Sequence, residues 1–202
     1  MNALPVPEHE MLEDSVPGWL IPPPGGFTAA DLDRLPGIPP HTELIDGTLV
    51  FVSPQTRFHS LIVDFLLHAL KSIAPEGMRV EREMTVVLGP RQRPEPDFIV
   101  LRPGTDADLM RTYYDAADVL LAVEVMSKES EERDRKRKPL LYAEAGIPHF
   151  WLVEYDGGHP VVYVHELDKD SGAYALTGIY HDRLMVGVPF PIDVDLTEIT
   201  GG

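Results

Sequence analysis

The sequence predicts an α/β protein with a mixed sheet, on three observations. An aspartate–glycine pair, Asp46-Gly47, divides two apolar stretches at 42–53. Apolar residues recur at helical spacing through 56–74, and short apolar runs bounded by proline and glycine follow from 78 to 180. The resulting order is helix, hairpin, helix, several strands, helix and a strand meander, with no internal repeat, which fits one α/β domain over 27–202.

The elements are justified in turn. Residues 1–26 are rich in proline and lack periodicity, so they read as an N-terminal arm whose Trp19, Leu20 and Ile21 offer apolar surface to a neighbour. "FTAADLDRLPG" (27–37) fits a short helix with Thr28 as N-cap and Pro36 as stop. "TELIDGTLVFVS" (42–53) is a hairpin, because Asp-Gly favours the two-residue turn that matches strand twist. Phe58, Ile62, Phe65, Leu66, Ala69 and Ile73 share one face of a helix that Pro75 and Gly77 end. Strands are predicted at 78–88, 94–103 and 119–126, with a polar loop or ill-defined helix over 104–118. A charged helix over 131–145 closes on Gly146, strands at 149–156, 160–167 and 173–180 follow, and the final residues add more strand.

Composition narrows the function. The chain has 202 residues, no cysteine and a formal charge of −16. Disulfides and cysteine-ligated metal sites are excluded. No apolar run approaches the ~20 residues of a membrane helix, and the acidic start does not resemble a signal peptide, so a cytoplasmic location is the default. The charge argues against broad, non-specific DNA affinity, which rests on phosphate contacts. Positive charge concentrates in "RDRKRK" (133–138) and more loosely in Arg79, Arg82, Arg91 and Arg93.

Two carboxylates stand where acid is unexpected: Asp97 in "EPDFIV" and Glu124 in "LLAVEVMSKES". A charge inside a buried strand is costly unless paired. Adjacent strands lie ~4.8 Å apart, so two such carboxylates can face each other and share a cation such as Mg²⁺. Taken alone, a proline-flanked Asp97 is ordinary turn chemistry. Glu124, among Leu120, Leu121, Val123 and Val125, is harder to explain that way. Lys128 and Lys138 follow as candidates for orienting a water or offsetting developing negative charge, although most of the basic run reads as a solvated helix face.

The succession "ELIDGTLVFVSPQTRFH", "PEPDFIVL", "LLAVEVMSKES" and "RDRKRKPLLYAEAGIPHFWLVE" resembles the Uma-two family of the PD-(D/E)XK nuclease superfamily, from about Glu43 to Glu154. The resemblance implies a restriction-endonuclease-like fold, a central mixed sheet flanked by helices. It implies that Asp97 and Glu124 hold a divalent metal, Mg²⁺ or Mn²⁺, joined by the backbone carbonyl of Val125 and by Glu43. It implies that Lys138, four residues before Tyr142, is the catalytic lysine, because Met126 occupies the position where the superfamily's E-x-K pattern places it. His59 matches a residue near the family's hairpin–helix junction and is a candidate phosphate contact; a backbone-bonded histidine at a helix start is the plainer reading.

Pro139 complicates Lys138. Proline disfavours helix for the residue before it, so the helix either begins at Pro139 or kinks there, and Lys128 stands as substitute. The expected function is a metal-dependent endonuclease acting on DNA, working as a homodimer. The alternative is a catalytically weak or inactive protein of the same fold that serves as an interaction module; a small-molecule phosphohydrolase is a weaker third.

Overall fold

The computed structural model describes residues 17–200, the side chain of Thr200 excepted. Most of the proline-rich arm, residues 1–16, lies outside them. Of its remainder, Gly18–Leu20 form one 3₁₀ turn and Ile21 is 64% exposed.

Among the described residues the central sheet has six strands. In chain order they are β3 (Arg79–Arg82), β5 (Phe98–Leu101), β7 (Val119–Val125), β8 (His149–Asp156), β9 (His159–Asp168) and β10 (Ala173–Tyr180). Across the sheet they run β10-β9-β8-β7-β5-β3, with β7 and β8 parallel and the other neighbours antiparallel. Helix α1 (Arg57–Ile73) covers one face through Ile62, Val63, Leu66 and Leu70, which join Val100, Leu121, Val123 and Trp151. Helix α2 (Lys138–Glu144) covers the other through Tyr142, beside Ile99, Ala122, Phe150 and Leu152. The alternation is the period of two expected of strands buried on both faces. The mixed sheet, the flanking helices and the terminal meander β8-β9-β10 match the fold class read from the sequence. Among the described residues no helix is long and apolar enough to cross a membrane.

The hairpin is β1 (Thr42–Ile45) with β2 (Thr48–Phe51). Its turn residues Asp46 and Gly47 have φ of 54° and 77°, as the primed turn requires. The backbone of Leu44 exchanges two hydrogen bonds with Arg93, which ties the hairpin to the segment leading into β5. A Cβ added at Gly47 would lie 2.5 Å from Arg91 Nε. Gly47→Ala should therefore cost more than about 1 kcal/mol in urea denaturation, from the left-handed backbone and the Arg91 contact together; an unchanged midpoint would show that neither resists a side chain there.

Several elements differ from the sequence reading. The strand expected over 78–88 is broken by Glu83, whose φ of 53° bends the chain between β3 and β4 (Thr85–Val87). The region 104–118 contains a short strand, β6 (Tyr113–Asp115), parallel to β4. The helix expected over 27–37 is a single 3₁₀ turn, Ala29–Asp31. The strand expected in the final residues is present, but as a separate ribbon of β11 (Arg183–Val186) and β12 (Ile192–Asp195) whose apolar residues join the α1-side core.

The helix expected over 131–145 is irregular ahead of Pro139: its regular α-helical part, α2, begins at Lys138 and carries Pro139 in its first turn. The irregular part is a π-turn, Arg133–Arg137, and Lys138 keeps helical angles. The Lys138 N–H bonds to the carbonyl of Arg133, five residues back. Proline has no N–H and its ring collides with the carbonyl four residues earlier in a regular helix. Widening the helix by one residue just before Pro139 relieves that collision, and such π-turns occur preferentially at functional sites.

Candidate active site

The antiparallel register of β5 and β7 pairs Phe98 with Val123 and Ile99 with Ala122. One further step sets Asp97 opposite Glu124. The Val125 N–H donates to Asp97 Oδ2 at 2.6 Å, which holds the aspartate against the end of β7. Glu124 lies two residues beyond Ala122, so it projects toward α2.

There it meets Lys138. The ammonium lies 2.9 Å from Glu124 Oε2, 2.8 Å from Glu43 Oε1 and 3.3 Å from Asp134 Oδ1. All four side chains are at most 5% exposed. Tyr142 donates its hydroxyl to Glu124 Oε1 at 2.5 Å. Glu43 also accepts the Glu95 N–H at 3.0 Å, a consequence of the hairpin's docking on Arg93. Asp97 binds the second side of the site: its Oδ1 lies 2.8 Å from His59 Nε2. His59 is nearly buried on the first turn of α1, and its own N–H is capped by Thr56 Oγ1.

A cavity of about 40 Å³ is enclosed by Glu43, Asp97, Glu124, Asp134, Lys138 and their neighbours. A groove of about 310 Å³, lined by residues including His41, Ser53, Glu83 and Pro96, adjoins it. The two share Val52, Gln55, His59, Glu95 and Asp97, so the groove gives a solvent route to the cluster.

The electrostatics follow from burial. Burial pushes the Glu124 carboxyl well up, and Asp134 is raised for the same reason. Burial alone would lower Lys138, but Glu124, Glu43 and Asp134 outweigh it and hold the ammonium well above the usual lysine range. Three buried carboxylates thus share one cation, with Asp97 close by, and the cluster carries an excess of negative charge. Oxygen donors with that excess fit a hard divalent ion in type. In the arrangement seen, however, oxygens of Glu43, Glu124 and Asp97 are engaged by Lys138, Tyr142, His59 and the Val125 N–H, while Asp134 Oδ1 accepts no hydrogen bond. Among the described residues no group of three or more histidine or acidic side chains stands ready to hold a metal.

At the groove, His41 Nδ1 lies 2.5 Å from Glu95 Oε1, with the histidine side chain 50% exposed. His41 has φ of 57°, a conformation uncommon for a side-chain-bearing residue. The bond to Glu95 raises its pKa. The sign is that of a folded value above the unfolded one: the pair's stabilisation is complete below the ordinary histidine pKa and disappears as pH rises through the raised value. An NMR titration of His41 should accordingly show a midpoint above that of free histidine, falling back in Glu95→Gln; equal midpoints would remove the pair's influence.

The sequence-derived candidates fall into two groups. Asp97, Glu124, Glu43, Lys138, His59 and Val125 converge. Lys128 does not: it is exposed on the turn after β7, and no contact joins it to the cluster. Within "RDRKRK" every cation is paired: Arg133 with Glu129, Arg135 with Glu131 and Glu154, Lys136 with Glu132, Arg137 with Asp46, and Lys138 in the cluster. The run therefore supplies no free positive patch. Asp134 and the hydroxyl of Tyr142 belong to the site and were not anticipated. The available signal for Asp134 was its place four residues before Lys138, one helical turn away.

A family model described as "Putative restriction endonuclease", Uma2, matches residues 29–197. No curated protein matches the chain. Among solved structures, the chain is similar to one titled a "putative nuclease belonging to DUF820" from Anabaena variabilis. That match has a TM-score of 0.66 at 16% identity and covers 87% of this chain and 98% of that one.

Proposed function

The chain belongs to the Uma2 family, and from that premise we propose that it is a metal-dependent endonuclease hydrolysing phosphodiester bonds in DNA. The observation that carries the proposal is the buried set Glu43, Glu124, Asp134 and Lys138, beside Asp97 at the inner end of an open groove. When bound, Mg²⁺ or Mn²⁺ would polarise the scissile phosphate and lower the pKa of the attacking water. Asp97 and Glu124 would hold it, with Glu43 and the carbonyl of Val125 as further donors. His59 orients Asp97 through Oδ1, as partners of ligating carboxylates do. Lys138 positions the water or offsets charge developing on the phosphate oxygens. The groove past His41 and Gln55 admits the substrate strand.

Purified protein incubated with supercoiled plasmid and Mg²⁺ or Mn²⁺ tests this. Wild type should nick or cut the DNA and Asp97→Ala should not; equal cleavage by both, or none by wild type, defeats the reading.

A second reading rests on the engaged state of the carboxylate oxygens. If Lys138 is a permanent occupant, the protein is an inactive member of its fold that acts as an interaction module. Calorimetric titration with Mn²⁺ separates the two, since that module would bind no ion. A homodimer is part of the nuclease reading. Strand β10 is an edge of the sheet and has no charged side chain over Ala173–Tyr180, so a second copy could pair there despite the acidic surface. A purely monomeric sedimentation profile would remove that element.

A further inference from the structure

We propose that Asp134 is a positioning residue: it keeps Lys138 at the site when a divalent cation takes over Glu43 and Glu124. This rests on the nuclease reading for the cation and goes beyond it in assigning Asp134.

Lys138 has three carboxylate partners. Glu43 comes from the hairpin and Glu124 from β7, and both are the groups a metal would recruit. Asp134 differs in kind. It lies on the same helical segment as Lys138, one turn earlier, so the two move together. It is 2% exposed, and its Oδ1 has no hydrogen-bond partner although the ammonium stands 3.3 Å away. That is the longest of the three contacts and the one with room to shorten.

An ammonium displaced from Glu43 and Glu124 would still be buried, and a buried charge needs a partner. Asp134 Oδ1 is a buried, unsatisfied acceptor that lines the same 40 Å³ cavity. The π-turn contributes as well. It carries Asp134 and closes on the Lys138 N–H, so the relation between the two side chains is set by the backbone irregularity that Pro139 requires. Lys138 can then yield two carboxylates without leaving the cavity or losing its charge.

The test uses the full chain, Mn²⁺ as the cation, and the variants Asp134→Asn, Lys138→Met and their combination. Mn²⁺ binding is measured by calorimetry. Exposure of the Lys138 amine is measured by acetylation and mass spectrometry, with and without saturating Mn²⁺. Without metal, Lys138 should be protected in wild type and in Asp134→Asn, because Glu43 and Glu124 hold it. With Mn²⁺, it should stay protected in wild type and react severalfold faster in Asp134→Asn. In cleavage, Asp134→Asn should lower kcat about 10–100-fold, as loss of an orienting partner does, with KM unchanged. Adding it to Lys138→Met should cause no further loss.

Equal acetylation of Mn²⁺-loaded wild type and Asp134→Asn overturns the proposal alone, as does the same fall in kcat with and without Lys138. Failure of wild type to bind Mn²⁺ overturns the metal reading and this proposal together. The acetylation result decides even where cleavage is too slow to follow. Asparagine keeps the shape of aspartate; Asp134→Ser repeats the measurement should that variant not fold.

Discussion

Glu124→Gln should abolish metal-dependent cleavage and leave the protein at least as stable as wild type. The two effects share a cause. Glu124 is a carboxylate confined where water cannot solvate it, and burial raises its pKa well above the ordinary value. A carboxyl whose folded pKa exceeds its unfolded one costs stability as pH rises from the unfolded value to the folded one, and it keeps that cost above both. Glutamine removes the cost and can still accept from Tyr142 or Lys138. Lys138 retains Glu43 and Asp134 as counter-charges. A gain of about 1 kcal/mol would appear as a rise of roughly 2–4 °C in Tm for a chain of this size. Cleavage moves the other way. A neutral amide is a poor ligand for a hard cation, and losing several kcal/mol of charge stabilisation in the transition state corresponds to about a thousandfold in rate. Calorimetric melting and plasmid cleavage on the same preparation check both halves. A variant that melts well below wild type would mean the carboxylate is structural, and one that still cuts would mean Glu124 is no ligand.

That opposition explains which parts of the site were legible in the sequence. Glu124 stood out because it interrupts an otherwise apolar strand, and such a violation is expected where function outweighs stability. Asp97 followed from its place at the entry to the next strand, and the sheet register joins the two by geometry alone. Glu43 carried no such signal of its own and was named only through the family resemblance. It lies in a hairpin that pairs through only one local turn, and its approach to the site depends on a long-range bond between Leu44 and Arg93. Asp134 was hidden for a different reason: a carboxylate within a run of arginines and lysines reads as solvated, and nothing in residue spacing distinguishes a helix bonded at i−4 from one bonded at i−5. Pro139 looked like a boundary because proline disfavours helical angles at the residue before it and collides with the carbonyl four residues back; Lys138 adopts helical angles all the same, and the π-turn relieves the second conflict. The missed β6 and the break at Glu83 are likewise tertiary. A three-residue strand has little pattern, and no side chain announces the left-handed angle that lets Glu83 turn the chain toward the groove.

Lys138→Met should have the largest effect on stability of any single change at the site. Replacing a whole buried ion pair by apolar groups is often neutral or favourable, but removing one partner leaves an uncompensated charge and costs about 3–5 kcal/mol. Here the one removed is the ammonium that, among the described residues, is ion-paired with all of Glu43, Glu124 and Asp134, and methionine matches its length while offering nothing to their oxygens. Urea denaturation of the metal-free variant should register that cost. Mn²⁺ should then restore much of it, because the ion meets the orphaned carboxylates without having to displace an ammonium. The gain from a ligand present at 100 times its Kd is about 2.7 kcal/mol, so a Tm shift well beyond that of wild type at equal Mn²⁺ is expected. Combining Lys138→Met with Glu124→Gln should lose less than Lys138→Met alone, since one of the stranded charges has gone; side chains in contact are where such non-additivity appears. If metal-free Lys138→Met proves as stable as wild type, or Mn²⁺ shifts both equally, the carboxylates around Lys138 do not compete for one cation position, and the site loses the electrostatic tension on which the nuclease reading depends.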